Sequence, residues 1–204
     1  MAIYILVALV SYLIGSVSFS VIFTKKIAGF DVRERGSKNA GSTNVLRTAG
    51  KGVALLTLVC DILKGVVAVL LAKWIGELDD IDNLAYLVQL AGIMVVVGHT
   101  FPVFFKFKGG KGVATSLGII LLINWQIGLI CLVFALILMI LTRLVSLGSV
   151  AAAILFPVLT LFITDNYLVD GDYRIFGIIL GIFICFNHRS NISRLLHGTE
   201  NKLF

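Results

Sequence analysis

Long apolar runs alternate with short polar stretches along the whole chain. A hydrocarbon layer about 30 Å thick is crossed by roughly 20 apolar residues in helical form. The runs at 3–23 and 53–75 reach that length, and residues 84–98 fall slightly short of it. From Val113 to Thr142 the chain stays apolar for 30 residues, about 45 Å of helix at about 1.5 Å per residue. That is long for one crossing and short for two. The polar step Asn124-Trp125-Gln126 predicts a turn inside the run, with the tryptophan at a membrane interface. Residues 144–164 predict another helix, bent at Pro157, and residues 174–187 a last, short one.

Charge sets the number of crossings. Residues 25–51 hold Lys25, Lys26, Arg33, Arg35, Lys38, Arg47 and Lys51, and a second basic loop holds Lys106, Lys108 and Lys111. With Arg143 and the tail residues Arg189, Arg194 and Lys202, these make 14 of the 17 Lys and Arg. The connections at 76–83 and 165–173 hold no Lys or Arg and carry seven acids. The positive-inside rule puts all four basic segments in the cytoplasm, so the run between Lys111 and Arg143 must cross twice. The expectation is an all-α integral membrane protein with seven transmembrane helices, some short, N-terminus outside and C-terminus cytoplasmic. Short helices end at depth only where they line a protein cavity.

Composition agrees. The 204 residues are 59% hydrophobic and 14% charged, with a mean hydropathy of +1.04, against about 45–50% and about 25% in soluble domains. A single membrane domain, residues 1–204, is expected. Without a basic n-region or small-residue cleavage site, the N-terminus reads as a retained helix. Cys60, Cys131 and Cys185 all fall in apolar runs, which predicts buried thiols, no disulfide framework and no metal.

The informative polar residues gather on the cytoplasmic side, which favours a site reached from there over a transporter's midplane site. In residues 35–52, RGSKNAGSTNVLRTAGKG, four glycines punctuate a run of Ser, Thr and Asn. A helix starting near Ser42, capped by Ser42 or Thr43, puts Asn44 and Arg47 on one face. Glycine-rich backbone and a helix N-terminus suit an oxyanion, and Arg47 suits a phosphate. An ordinary basic loop also explains the charge. Residues 98–118, GHTFPVFFKFKGGKGVATSLG, place Gly109, Gly110, Lys111 and Gly112 before a helix, a second anion cradle. Lys111 is followed by glycine, so the Walker pattern G-x-x-x-x-G-K-[ST] is not met and a nucleotide site of that type is excluded. His99 can be catalytic or can bond a loop carbonyl. In residues 187–202, Asn187, Asn191 and Arg194 share a helical face, and His188 and Asn191 are neighbours at i, i+3. A basic juxtamembrane helix on anionic headgroups is the other reading. Asp61 and Lys64, i, i+3 inside a span, read as a structural pair that orients an interior cavity. Arg143, Ser146 and Ser149, at a cytoplasmic helix edge, can bind an anion or cap a helix.

At these three segments the chain resembles the bacterial acyl-phosphate:glycerol-3-phosphate acyltransferases, the PlsY family, and the likeness runs along essentially the whole length. The first family motif, roughly GSGNxGATN, is matched from Gly36 to Asn44, with Lys38 in place of a glycine and Ser42 of an alanine. The second, G-H-x-F-P-x-F…F-x-G-G-K-G-V-A-T, is matched from Gly98 to Thr115, and the third, H-R-x-N-I-x-R-L-x-x-G-x-E, from His188 to Glu200. The resemblance implies transfer of a fatty acyl group from acyl phosphate to sn-glycerol 3-phosphate, without cofactor or nucleic acid, by a monomer in the bacterial inner membrane. It implies important roles for Ser37, Asn39, Asn44 and Arg47, for His99, Lys111 and the neighbouring glycines, and for His188 and Asn191, with Glu200 structural. Ser37, His188 and Asn191 are the expected catalytic residues; Arg143 and Ser146 join the expected substrate-binding set from their position. The readings from other classes are a small-anion or lipid transporter and a non-catalytic lipid-binding membrane protein.

Overall fold

The computed structural model describes residues 1–203, and within them regular structure is entirely helical. Ten α-helices occur in order: α1 (Ala2–Gly15), α2 (Phe19–Phe23), α3 (Ser42–Ala49), α4 (Lys51–Leu78), α5 (Leu84–Thr100), α6 (Val113–Ile123), α7 (Trp125–Thr142), α8 (Val145–Phe162), α9 (Arg174–Asn187) and α10 (Arg189–Leu196). A π-helical turn covers Thr24–Ala28. Five stretches are long and apolar enough to cross a membrane: Ala2–Ala28, Lys51–Leu78, Leu84–Phe105, Trp125–Thr142 and Val145–Phe162. A sixth results if α9 and α10, bent by 66° at His188, count as one. The 11 residues of α6 make only about 17 Å of helix.

Two compact units divide the chain, Met1–Ile119 and Ile120–Phe204. In the first, small residues bring helices close, as expected where packing rather than hydrophobicity drives association in lipid. A Cβ on Gly15 of α1 would lie 2.1 Å from the Val95 carbonyl oxygen of α5, and one on Gly98 2.2 Å from that of Tyr12. Gly65 of α4 meets the Thr115 carbonyl of α6 in the same way. In the second unit, Gly148 joins α8 to α7 at the Ala135 carbonyl, and Gly177 and Gly181 of α9 pack on Pro157 of α8. Leu55, Leu63, Val67 and Leu70 on α4, and Ile140 and Leu141 on α7, remain exposed, as side chains facing lipid do.

The sequence pattern is corrected at two points. The run at 3–23 is not one helix: it breaks at Ser16–Ser18, and the Val17 carbonyl accepts from Lys64 Nζ at 3.0 Å. A backbone group freed inside the membrane needs such a partner. The expected helix over 144–164 is present as α8, with Pro157 inside it and the Pro157 carbonyl accepting from Thr160 Oγ1 at 2.7 Å. The thiols are free, but only Cys131 is buried; Cys60 and Cys185 are half-buried. The predicted turn at Asn124 is present. Its side-chain oxygen accepts from the Ile127 N–H at 3.0 Å, and its amide donates to the Asp165 carbonyl at 2.8 Å.

Candidate functional site

The first polar loop is organised by Asn44, in the first turn of α3 and buried. Its amide NH2 donates to the carbonyls of Val32, Arg35 and Asn39, each at 3.0 Å, and its Oδ1 accepts the Ser37 N–H at 2.9 Å. Three carbonyls can only accept, which fixes the orientation of the amide. Asn44 thereby shapes residues 32–39 and leaves the Ser37 side chain exposed. Arg47, one turn on, is exposed on α3, and Asn39 is half-buried. Neither Ser42 nor Thr43 caps α3; Gly41 occupies the N-cap without a side-chain bond.

Gly36 and Lys38 both have positive φ, +57° and +58°. A Cβ on Gly36 would lie 2.3 Å from Asn44 Oδ1, so glycine is needed there. Lys38 keeps the left-handed backbone that the family glycine takes easily, at a cost of about 1–2 kcal/mol. Lys38→Gly is therefore expected to raise stability by about 0.5–1 kcal/mol after the entropy cost of glycine. Thermal unfolding in detergent reads this, and a lower midpoint would contradict it.

The second loop comes directly after α5. The Gly109 and Gly110 amides donate to the carbonyls of Thr100 and His99, both at 3.1 Å. His99 is buried, and its Nε2 would lie 2.1 Å from a Cβ on Gly110. Lys111 is half-buried, and Gly112, at φ +89°, precedes α6. The two loops are tied directly. Ala40 N–H donates to the Gly109 carbonyl at 3.3 Å, and the Ala40 carbonyl accepts from Ser20 Oγ at 2.9 Å.

A second tie comes from residues that, in the sequence, are simply part of a basic loop. Arg33 donates through Nε and Nη2 to the two oxygens of Asp31, at 2.9 and 2.7 Å, and through Nη1 to the Phe105 carbonyl at 2.7 Å. The D-V-R spacing just before the first motif is the only sign of it in the sequence. The Arg33 guanidinium, aided by Lys25, holds the Asp31 carboxyl well below the usual carboxylate range. Such a group contributes stability that is complete above its unfolded pKa of about 3.9 and is lost as pH falls toward the lower folded value. Asp31→Asn should therefore lower the unfolding midpoint at neutral pH, with the gap to wild type closing below about pH 4. A gap that stays constant with pH would contradict it.

In the second unit, His188 sits at the junction of α9 and α10, buried, with Nδ1 2.8 Å from the Ile184 carbonyl. Since a carbonyl only accepts, Nδ1 carries the proton of the neutral ring and Nε2 the lone pair. Asn191 donates to Glu200 Oε1 at 2.9 Å, and Arg194 pairs with Glu200 Oε2 at 2.8 Å. Glu200 thus fastens the tail to α10. Arg143, at φ +63°, ends α7, and its carbonyl accepts the Leu203 N–H at 2.8 Å. Ser146 is buried in the first turn of α8, its hydroxyl without a hydrogen-bond partner; Ser149 Oγ donates back to the Val145 carbonyl at 3.0 Å.

Ser37, Asn39, Asn44, His99, Gly109 and Gly110 therefore belong to one cross-tied pair of loops in the first unit. His188 and Asn191 lie on the α9–α10 elbow, and Arg143 and Ser146 on the α7–α8 turn, of the second.

The chain is similar to known proteins along nearly its whole length. A family model described as glycerol-3-phosphate acyltransferase matches residues 5–198. A glycerol-3-phosphate acyltransferase of Clostridioides difficile (strain 630) is 45% identical over 204 residues, covering 98% of this chain and 95% of the relative. One of Thermoanaerobacter sp. (strain X514) is 43% identical over 199 residues, with coverage of 98% and 95%. The crystal structure of PlsY, an integral membrane glycerol 3-phosphate acyltransferase, in its glycerol 3-phosphate form superposes with a TM-score of 0.85 at 34% identity, covering 98% of this chain and 94% of that one. Its lysophosphatidic acid form gives 0.82 at 32%, with the same coverage. With its multi-span apolar helices and a match along nearly its whole length, the chain belongs to the glycerol-3-phosphate acyltransferase family of bacterial membrane proteins and is an acyltransferase.

Proposed function

We propose that the protein transfers a fatty acyl group from acyl phosphate to the 1-hydroxyl of sn-glycerol 3-phosphate, an early step of phospholipid biosynthesis. The observation that carries this reading is the direct tie between two glycine-lined basic loops, Ala40 N–H to the Gly109 carbonyl, in a chain of this family. Both substrates carry phosphate, which backbone amides, Lys111 and Arg47 suit. The acyl group arrives activated, so positioning and oxyanion stabilisation are the main requirements.

Lys111 and Arg47 clamp phosphate, His99, Asn39 and the glycines Gly109, Gly110 and Gly112 shape its loops, and Asn44 acts by holding the Ser37 backbone. Ser37 and Asn191 orient the acyl phosphate, and Arg143 and Ser146 assist in binding it. The 1-hydroxyl oxygen bonds to the acyl carbon, the bond from that carbon to the phosphate oxygen breaks, and phosphate leaves with the electron pair. The hydroxyl proton passes either to His188 Nε2 and on to the departing phosphate, or directly to an oxygen of the substrate phosphate with His188 holding the α9–α10 elbow. The whole chain, residues 1–204, works as one monomeric domain. It spans the inner membrane with seven helices, the short α6 and α9 among them, N-terminus outside and loops and tail in the cytoplasm.

Phosphate release by purified protein with palmitoyl phosphate and glycerol 3-phosphate tests the reading, beside Ser37→Ala. Release should need both substrates and collapse in the variant. No release from folded protein with any acyl length would overturn it and favour transport. A near-normal kcat in His188→Ala would remove the base and leave the clamp, which is read from a raised glycerol 3-phosphate KM in Arg47→Ala and Lys111→Ala.

A further inference from the structure

The first unit holds an ion pair that this chemistry does not use. Asp61 and Lys64 lie inside the 28-residue α4, 2% and 4% exposed, with Lys64 Nζ 2.8 Å from Asp61 Oδ1. Burying two charges is costly, and apolar residues would pack the same space at least as well. Close packing of α4 is already supplied by Gly65 and Gly76. The pair has other contacts, and both lead to the loops.

Lys64 Nζ donates to the Val17 carbonyl at 3.0 Å, in the break between α1 and α2, and lies 5.8 Å from the Phe19 ring centre. Just beyond that break, Ser18 and Ser20 share a hydrogen bond of 3.2 Å, and Ser20 Oγ donates to the Ala40 carbonyl. Asp61 Oδ1 faces His99 Nδ1 at 3.5 Å, an electrostatic contact longer than a hydrogen bond. The other ring nitrogen of His99 lies against Gly110, and the His99 carbonyl accepts the Gly110 amide. One arm thus ends on Ala40 and the other on Gly110. Those residues meet: a Cβ on Gly110 would lie 3.1 Å from the Ala40 carbonyl oxygen, and Ala40 bonds Gly109.

We infer that Asp61 and Lys64 are positioning residues that hold the two loops in register, Lys64 through the broken α1–α2 segment and Asp61 through His99. The effect on catalysis rests on the acyltransferase reading; the effect on loop order does not.

The test is Asp61→Leu/Lys64→Met, which removes both charges without leaving one unpaired. Two quantities are read in the full-length protein in detergent: amide hydrogen exchange at Ala40, Gly109 and Gly110, and the KM and kcat for glycerol 3-phosphate with palmitoyl phosphate. The expected result is faster exchange at those three amides while α4 and α5 stay protected, with KM raised and kcat/KM reduced on the order of tenfold or more. A purely structural pair would lower the folded fraction, reducing apparent kcat and leaving KM unchanged. That result, or unchanged exchange at the three amides, overturns the inference. If the double variant does not fold, Asp61→Asn, which keeps the side-chain shape, is read by the same two quantities. Wild-type protein without turnover would refute the acyltransferase reading alone, and exchange would still decide the role of the pair.

Discussion

Gly109→Ala is expected to abolish turnover and to lower stability by about 3 kcal/mol, at the upper end of overpacking costs. The added methyl would lie 2.0 Å from the His99 carbonyl oxygen, 2.8 Å from that of Thr100 and 2.7 Å from Pro102 Cδ. None of these is the far end of a flexible side chain. The same two carbonyls accept the Gly110 and Gly109 amides, so moving them aside breaks the hydrogen bonds that define the turn. The Gly109 carbonyl then shifts from the Ala40 N–H, and the two loops part. Backbone torsion is not the cause, because positive φ in this loop falls at Lys106, Phe107 and Gly112 and not at Gly109. Gly110→Ala should differ in kind. Its methyl would meet the His99 ring, Nε2 at 2.1 Å, and the Ala40 carbonyl oxygen at 3.1 Å. It displaces a ring buried beside Asp61 rather than the carbonyls that define the turn, so stability falls and activity fails through the His99 contact. Gly52→Ala is the control: nothing lies within 4 Å of its Cβ position in α4, and alanine there gains up to about 1 kcal/mol. Thermal unfolding and phosphate release decide the matter. A Gly109→Ala protein with the wild-type midpoint would remove the close approach from the account of the site.

Much of this was legible because lipid imposes simple rules on sequence. Apolar length located the spans, and Asn124 marked the α6–α7 turn because its side chain caps α7. The density of glycine beside Lys111 pointed to the second loop. What sequence could not reveal lies in contacts across distant segments. The break at Ser16–Ser18 looks helical by hydropathy; its Val17 carbonyl is met by Lys64, 47 residues away in sequence. Arg33 looked like one more positive-inside charge until its bond to the Phe105 carbonyl made it a strap. Asn44 and Arg47, on one face by helical spacing, differ in exposure: Asn44 is buried and Arg47 is exposed. The sign of φ at Lys38 could not be read either, because lysine there is an exception to the preference that the glycine expresses.

Asn44→Asp is the most discriminating of the substitutions, because it changes one atom and reverses what that atom does. The NH2 group that donates to three carbonyls becomes an oxygen that faces them at about the same 3.0 Å separation. The Val32 and Arg35 carbonyls keep the Arg35 and Lys38 amides as donors, at 3.3 and 3.0 Å. The cost falls on the Asn39 carbonyl, about 1–3 kcal/mol for an acceptor that loses its donor, and on the repulsion that a buried charge adds. The expected loss is therefore roughly 3–5 kcal/mol in stability. The Ser37 N–H keeps an acceptor, so Ser37 itself is not released; the ring of carbonyls around it is. Turnover should fall far more than the folded fraction does, because the Ser37 hydroxyl is aimed by that backbone. The loss should also ease on acidification, since a protonated carboxyl regains one donor, whereas Asn44→Leu should show no such recovery. Thermal midpoints and phosphate release for both variants between about pH 5 and pH 8 measure this. A variant that matches Asn44→Leu at every pH would mean that packing, rather than the donated hydrogen bonds, holds the first loop.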